Sequence, residues 1–129
     1  KFVRGSLKKD EVPQILFIER CFELLKEGGR LGIVLPDGIF GNDKMSYIRD
    51  YLIRHGQLLA IIDIPIEAFA PHTTTKTSVL IFKKTSNPKK NYKVFMSIAK
   101  FCGHNRRGDL IDEDDLPIIT KKFLQWSKQ

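Results

Sequence analysis

Gly103-His104-Asn105-Arg106-Arg107-Gly108 sets two guanidinium groups between glycines. Planar forks of this kind grip phosphate oxygens in pairs; a glycine-flanked surface loop also carries such a pair without a ligand, so both readings stand. The acids Asp109, Asp112, Glu113, Asp114 and Asp115 have the charge for Ca²⁺ or Mg²⁺ but not the glycine-centred spacing of a calcium loop. They read as a solvated turn leading into a helix. His55, His72 and His104 are scattered, and Cys21 and Cys102 lie far apart with no Cys-x-x-Cys pair. Neither a metal site, a disulfide framework nor a nucleophile–base–acid set is indicated. Cys21 falls on the apolar face of an expected helix and reads as a small core residue rather than a nucleophile. Pro36, Asp37 and Gly38 follow an apolar run, and the carboxyl ends of buried strands are where open α/β sheets hold ligands. Asp37 either lines such a cleft or is ordinary Asp-Gly turn chemistry. Lys44 and Arg49 read as the solvated face of a helix.

The elements that must position these residues belong to a chain of 129 residues with 22 Lys and Arg against 15 Asp and Glu, a formal net charge of +7. Hydrophobic residues make up 42% and charged residues 29%, ordinary usage for one globular domain that needs no disulfide or metal staple. No apolar run approaches the roughly 18 residues of a membrane span. The start, Lys1-Phe2-Val3-Arg4-Gly5, has no initiating Met and no signal-peptide pattern, so a segment of a longer polypeptide is expected. Cysteine usage fits a reducing, cytoplasmic setting. A pI near 9.5 permits a phosphate-bearing partner without requiring one.

From Glu11 to Glu27, Ile15, Ile18, Phe22 and Leu25 recur at steps of three and four, which predicts an amphipathic helix closed at Gly28-Gly29. Leu31 to Leu35 runs apolar without alternation, as strands covered on both faces do. Asn42 or Asp43 then caps a helix carrying Met45, Ile48 and Leu52, ended by His55-Gly56. Leu58 to Ile64 and Ser78 to Phe82 are further strands, and Tyr92 to Ala99 alternates like a half-exposed edge strand. Helices alternating with buried strands mean an α/β sheet layered with helices. The compositional bias of Lys83 to Lys90 suggests a division into residues 1–84 and 85–129.

Five pieces, in order and spacing, then carry a resemblance. They are Phe17-Ile18-Glu19 through Leu25, Gly28-Gly29-Arg30 through Pro36-Asp37-Gly38, Arg49 to Ile53, Ile61-Ile62-Asp63-Ile64-Pro65 with Phe69-Ala70-Pro71-His72-Thr73-Thr74-Thr75-Lys76-Thr77-Ser78-Val79-Leu80-Ile81, and Gly103 to Pro117. Together they resemble the latter half of the catalytic domain of DNA adenine methyltransferases, notably the modification subunits of type I restriction systems. The resemblance implies a Rossmann-like S-adenosylmethionine-dependent methyltransferase fold: a mixed sheet whose final antiparallel strand, Ser78 to Phe82, lies between the strands at Leu31 and Leu58. It implies methyl transfer from S-adenosylmethionine to the exocyclic amine of an adenine flipped out of the duplex. The family's Gly-rich cofactor loop and Asn/Asp-Pro-Pro-Tyr/Phe loop belong upstream, and neither occurs here. No cofactor binding or activity is therefore expected of these residues alone.

By the same resemblance, Phe69 with Pro71 matches the aromatic that stacks on the extruded base. Thr73, Thr74 and Lys76, with Thr75, follow it as candidates for phosphate contacts, as do Arg106 and Arg107; Pro36 and Asp37 are candidates for the cleft. The partners implied are DNA, the amino-terminal half of the same enzyme, and a specificity subunit or recognition domain. The strand at Leu31 would leave an apolar edge, expected to self-associate or to be covered by the amino-terminal segment. Two alternatives stand beside this reading: a non-catalytic basic module binding nucleic acid or protein, and an RNA methyltransferase relative, since fold does not decide substrate.

Overall fold

A computed structural model describes residues 13–41 and 43–128. Helix α1 (Pro13–Leu24) buries Ile15, Ile18 and Phe22 on one face, the spacing that predicts it. Expected residues 11 and 12 lie outside the described residues, and the helix ends at Leu24 rather than Glu27. Gly28 takes a φ of +83°, which an L side chain tolerates poorly. Its N–H donates to the Lys84 carbonyl at 2.8 Å, the Lys84 N–H returns a 2.8 Å bond to Gly29, and the Lys84 ammonium donates to the Leu25 carbonyl.

Strand β1 (Arg30–Pro36) leads into the one-turn helix α2 (Gly38–Gly41) and a 3₁₀ turn, Asp43–Met45. Helix α3 (Ser46–His55) starts there with Met45 at its N-cap position and no side-chain cap. Asp43 thus opens the preceding turn instead of capping the helix, and Asn42 lies outside the described residues. The apolar face is as expected: Ile48 and Leu52 are buried, with Tyr51 beside them. β2 (Gly56–Ile64) follows directly, because Gly56 leaves the helix in extended conformation against α1. A Cβ on Gly56 would sit 2.9 Å from the Phe22 ring and 3.2 Å from the Lys83 carbonyl. β3 (Thr77–Lys84) and β4 (Phe95–Ile98) complete a four-stranded sheet ordered β1-β3-β2-β4.

β3 is antiparallel to both β1 and β2, and β4 is parallel to β2. The expected insertion of the Ser78–Phe82 strand between those at Leu31 and Leu58 is therefore what the sheet contains. α1 and α3 cover one face, where Ile33, Leu35, Leu80 and Phe82 join Ile15, Ile18, Phe22, Ile48, Tyr51 and Leu52 in the core. β1 departs from expectation. Its burial alternates, and Val34, pointing to the second face, is 45% exposed; continuous apolarity here marks a surface that the described residues do not cover.

The expected strand from Tyr92 to Ala99 shortens to β4. Its register matches Phe95 with Ala60 and Ser97 with Ile62, while Met96 and Ile98 face outward. Tyr92 instead accepts the Leu58 N–H on its hydroxyl at 3.3 Å, next to the register shift between Leu58 and Ala60. The tail corrects a second expectation: the acidic stretch is not a turn but strand β6 (Leu110–Asp114), paired antiparallel with β5 (Cys102–His104). Acidic residues are weak strand formers, but on a two-stranded ribbon their side chains stay in water. Helix α4 (Leu116–Ser127) then packs Phe123 and Trp126 against Phe95, with ring centroids 5.5 and 5.9 Å away. No described helix is long and apolar enough to cross a membrane.

Candidate functional site

Because β1, β2 and β4 run parallel, their carboxyl ends share one rim with the start of β3. This rim collects most of the residues singled out from sequence. At the end of β1, next to Pro36, the Asp37 N–H donates to the Lys76 carbonyl at 3.1 Å, and the Ser78 hydroxyl donates to Asp37 Oδ1 at 2.8 Å. Asp37 thus joins two strands as well as facing the rim. At the end of β2 the Lys76 ammonium is held by the Asp63 carboxylate and the Ile64 carbonyl. Lys76 fastens the start of β3 to β2, and its charge is matched there.

Pro65 turns the chain out of β2 into a 3₁₀ turn, Ile66–Phe69, after which the Ala70–Pro71 peptide is cis. The Ala68 N–H reaches the Pro65 carbonyl at 3.0 Å, and the Thr73 N–H reaches that of Phe69 at 3.2 Å. These local bonds hold Phe69 at the outside of the turn, where it is 41% exposed. A large apolar ring exposed at a strand-end rim is available for stacking; it is not part of the core. Thr73 closes a further turn, its hydroxyl bonded to Thr75 Oγ1 at 3.0 Å and accepting the Thr75 N–H at 3.1 Å, with Thr74 exposed between them.

The hairpin made by β5 and β6 comes to the same rim. His104 Nε2–H donates to the Glu67 carbonyl at 2.8 Å, and Arg106 Nε lies 3.6 Å from Glu67 Oε1. Arg106 therefore meets an acid on the Phe69 turn, whereas Arg107 is exposed at the hairpin tip, its N–H bonded to Asn105 Oδ1. Sequence reasoning missed Glu67, His104, Ser78 and Asp63 as partners. Ser78 and Asp37 were accessible through strand register; a histidine bonding a backbone carbonyl 37 residues away leaves no sequence signal. Away from the rim, Cys21 is partly buried and burial pushes its thiol up, the wrong direction for a nucleophile. Among the described residues no three His, Cys, Asp or Glu side chains are grouped to hold a metal.

The family model for N-6 DNA Methylase matches residues 1–129. A type I restriction enzyme EcoEI methylase subunit from Escherichia coli is 37% identical over 70 residues, which are 54% of this chain and only 14% of that subunit's length. Among solved structures, a chain of a type I R-M system superposes with a TM-score of 0.75 at 20% identity, covering 93% of this chain and 25% of that one. A Listeria monocytogenes protein described as a class I S-adenosylmethionine-dependent methyltransferase superposes with a TM-score of 0.61 at 22% identity, covering 97% of this chain and 38% of that one. At such identities the two structures speak for the fold.

Proposed function

This chain belongs to the N-6 DNA methylase family, and from that premise we propose that it forms the distal part of an adenine methyltransferase's catalytic domain and supplies the aromatic wall of its target-base pocket. Phe69 stacks on an adenine everted from DNA. The observation that carries this reading is the exposure of Phe69 at the rim where the parallel strands end, since ligands of open α/β sheets lie there. An aromatic face recovers part of the stacking lost when a base leaves the helix, about 1–3 kcal/mol per base. Thr73 and Thr74 hold the phosphates beside the flipped nucleotide, and Arg107 reaches the backbone further out; Pro36 and Asp37 form the opposite lip.

S-adenosylmethionine supplies an electrophilic methyl group to such an enzyme, and polypeptide outside this chain binds it. The task left to these residues is to hold the base still. Residues 1–84 belong to the distal half of the catalytic domain, and residues 85–129 add an edge strand and a connecting segment toward a recognition domain or specificity subunit.

The test uses the intact enzyme that contains these residues. Transfer of labelled methyl from S-adenosylmethionine to unmethylated DNA is expected to fall roughly 5- to 150-fold in Phe69→Ala, the equivalent of that stacking energy, and to survive in Phe69→Trp. Equal rate and DNA affinity in Phe69→Ala and wild type would remove Phe69 from the pocket.

A further inference from the structure

We propose that the β5–β6 hairpin is a brace for the Phe69 turn, with His104 as the positioning residue that sets where the ring stands. The inference rests on Phe69 being the base-stacking residue. Glu67 lies two positions before Phe69 in the same 3₁₀ turn, and the hairpin grips it twice. Its carbonyl takes the His104 Nε2–H at 2.8 Å as well as the Ala70 N–H at 3.2 Å, and its carboxylate faces Arg106. The bonds from Ala68 to Pro65 and from Thr73 to Phe69 are local; they shape the turn without tying it to the rest of the fold. Among the described residues, the hairpin supplies the hydrogen bond and the ion pair that tie it to another element.

The hairpin is itself stiff enough for the purpose. Asn105 Oδ1 accepts from the N–H groups of Arg107 and Asp109, the Asn105 N–H donates to the Asp109 carbonyl at 2.9 Å, and Gly108 turns the chain with a φ of +87°. At its base, Asp115 Oδ2 accepts the Lys100 and Phe101 N–H groups at 2.8 and 3.0 Å. α4 begins at the next residue and packs on β4. A module attached beyond α4 would thereby be connected mechanically to the turn that carries the stacking ring. A carbonyl only accepts, so His104 presents Nε2–H to it.

In the intact enzyme, His104→Leu removes the donor at similar volume, while His104→Gln can offer an amide N–H to the same carbonyl. His104→Leu is expected to lower kcat for methyl transfer to unmethylated DNA by about threefold to tenfold, a misplacement effect, with DNA Kd little changed and kcat restored in His104→Gln. In a Phe69→Ala background the His104→Leu change is expected to have no further effect. Arg106→Ala, a surface change that spares folding, is expected to give a smaller loss, about twofold, again absent without Phe69. Wild-type kcat in both His104→Leu and Arg106→Ala, or losses that multiply with that of Phe69→Ala, would overturn the brace while leaving the stacking reading intact. A neutral Phe69→Ala would overturn both.

Discussion

Phe69 and Tyr51 are both aromatic, but one is 41% exposed and the other 1%, and their chemistry divides accordingly. Tyr51 meets Phe22 edge-on at 6.1 Å and stacks on His55 at 4.2 Å, whose Nδ1–H donates to the Tyr51 carbonyl. Burial, and after it the charges of Glu19 and Glu23, push its phenol up from 10 to about 12. The folded state therefore holds this proton more tightly than the unfolded chain does. Stability is unaffected below pH 10 and is lost as pH rises from 10 toward 12, by on the order of 2–3 kcal/mol. Alkaline titration followed by tyrosinate absorbance and circular dichroism should show this tyrosine ionising with unfolding; ionisation near pH 10 in a folded protein would contradict the packing. Core residues such as Ile15, Ile18 and Phe22 were legible because periodicity alone selects them. Phe69 was singled out only through its resemblance to a family's aromatic before the last strand, since an exposed ring has no periodic signal.

At the scale of elements, the central strands were readable because a sheet covered by helices demands long apolar runs, and β2 and β3 supply them. β5 and β6 were not readable: a three-residue strand paired with Leu110–Asp114 has neither length nor apolar alternation. Its stability comes from turn chemistry at Asn105 and Gly108, which reads equally well as a loop. β1 misled in a different way, its exposed Val34 belonging to a face that the described residues leave uncovered. Among the described residues β1 pairs only with β3, and none of them pairs with its other edge. In the proposed intact enzyme a further strand pairs there. Hydrogen exchange should then be slow at both sets of β1 amides in the intact enzyme and fast at the outward set in a protein of residues 1–129 kept monomeric. Fast exchange at the outward set in the intact enzyme would show that no strand joins that edge.

The whole molecule has a division of labour along its strands. The rim with Phe69, Asp37, Thr73 and the hairpin lies at one end, and Lys84, Lys89 and Lys90 gather toward the other, where Arg54 and Tyr92 line a groove with the last two lysines. These basic residues are thus away from the proposed base pocket, which depends on an aromatic surface and on hydroxyl groups. The 70 residues of this chain that match the Escherichia coli methylase subunit correspond to 14% of its length, so the account makes the chain one wall of a larger site. The most direct measurement is photocrosslinking in the intact enzyme, with 5-iodouracil replacing the adenine that the enzyme methylates and the modified peptide mapped by mass spectrometry. The account predicts a crosslink at Phe69 that Phe69→Ala abolishes; a crosslink confined to other residues, with Phe69 unmodified, would contradict it.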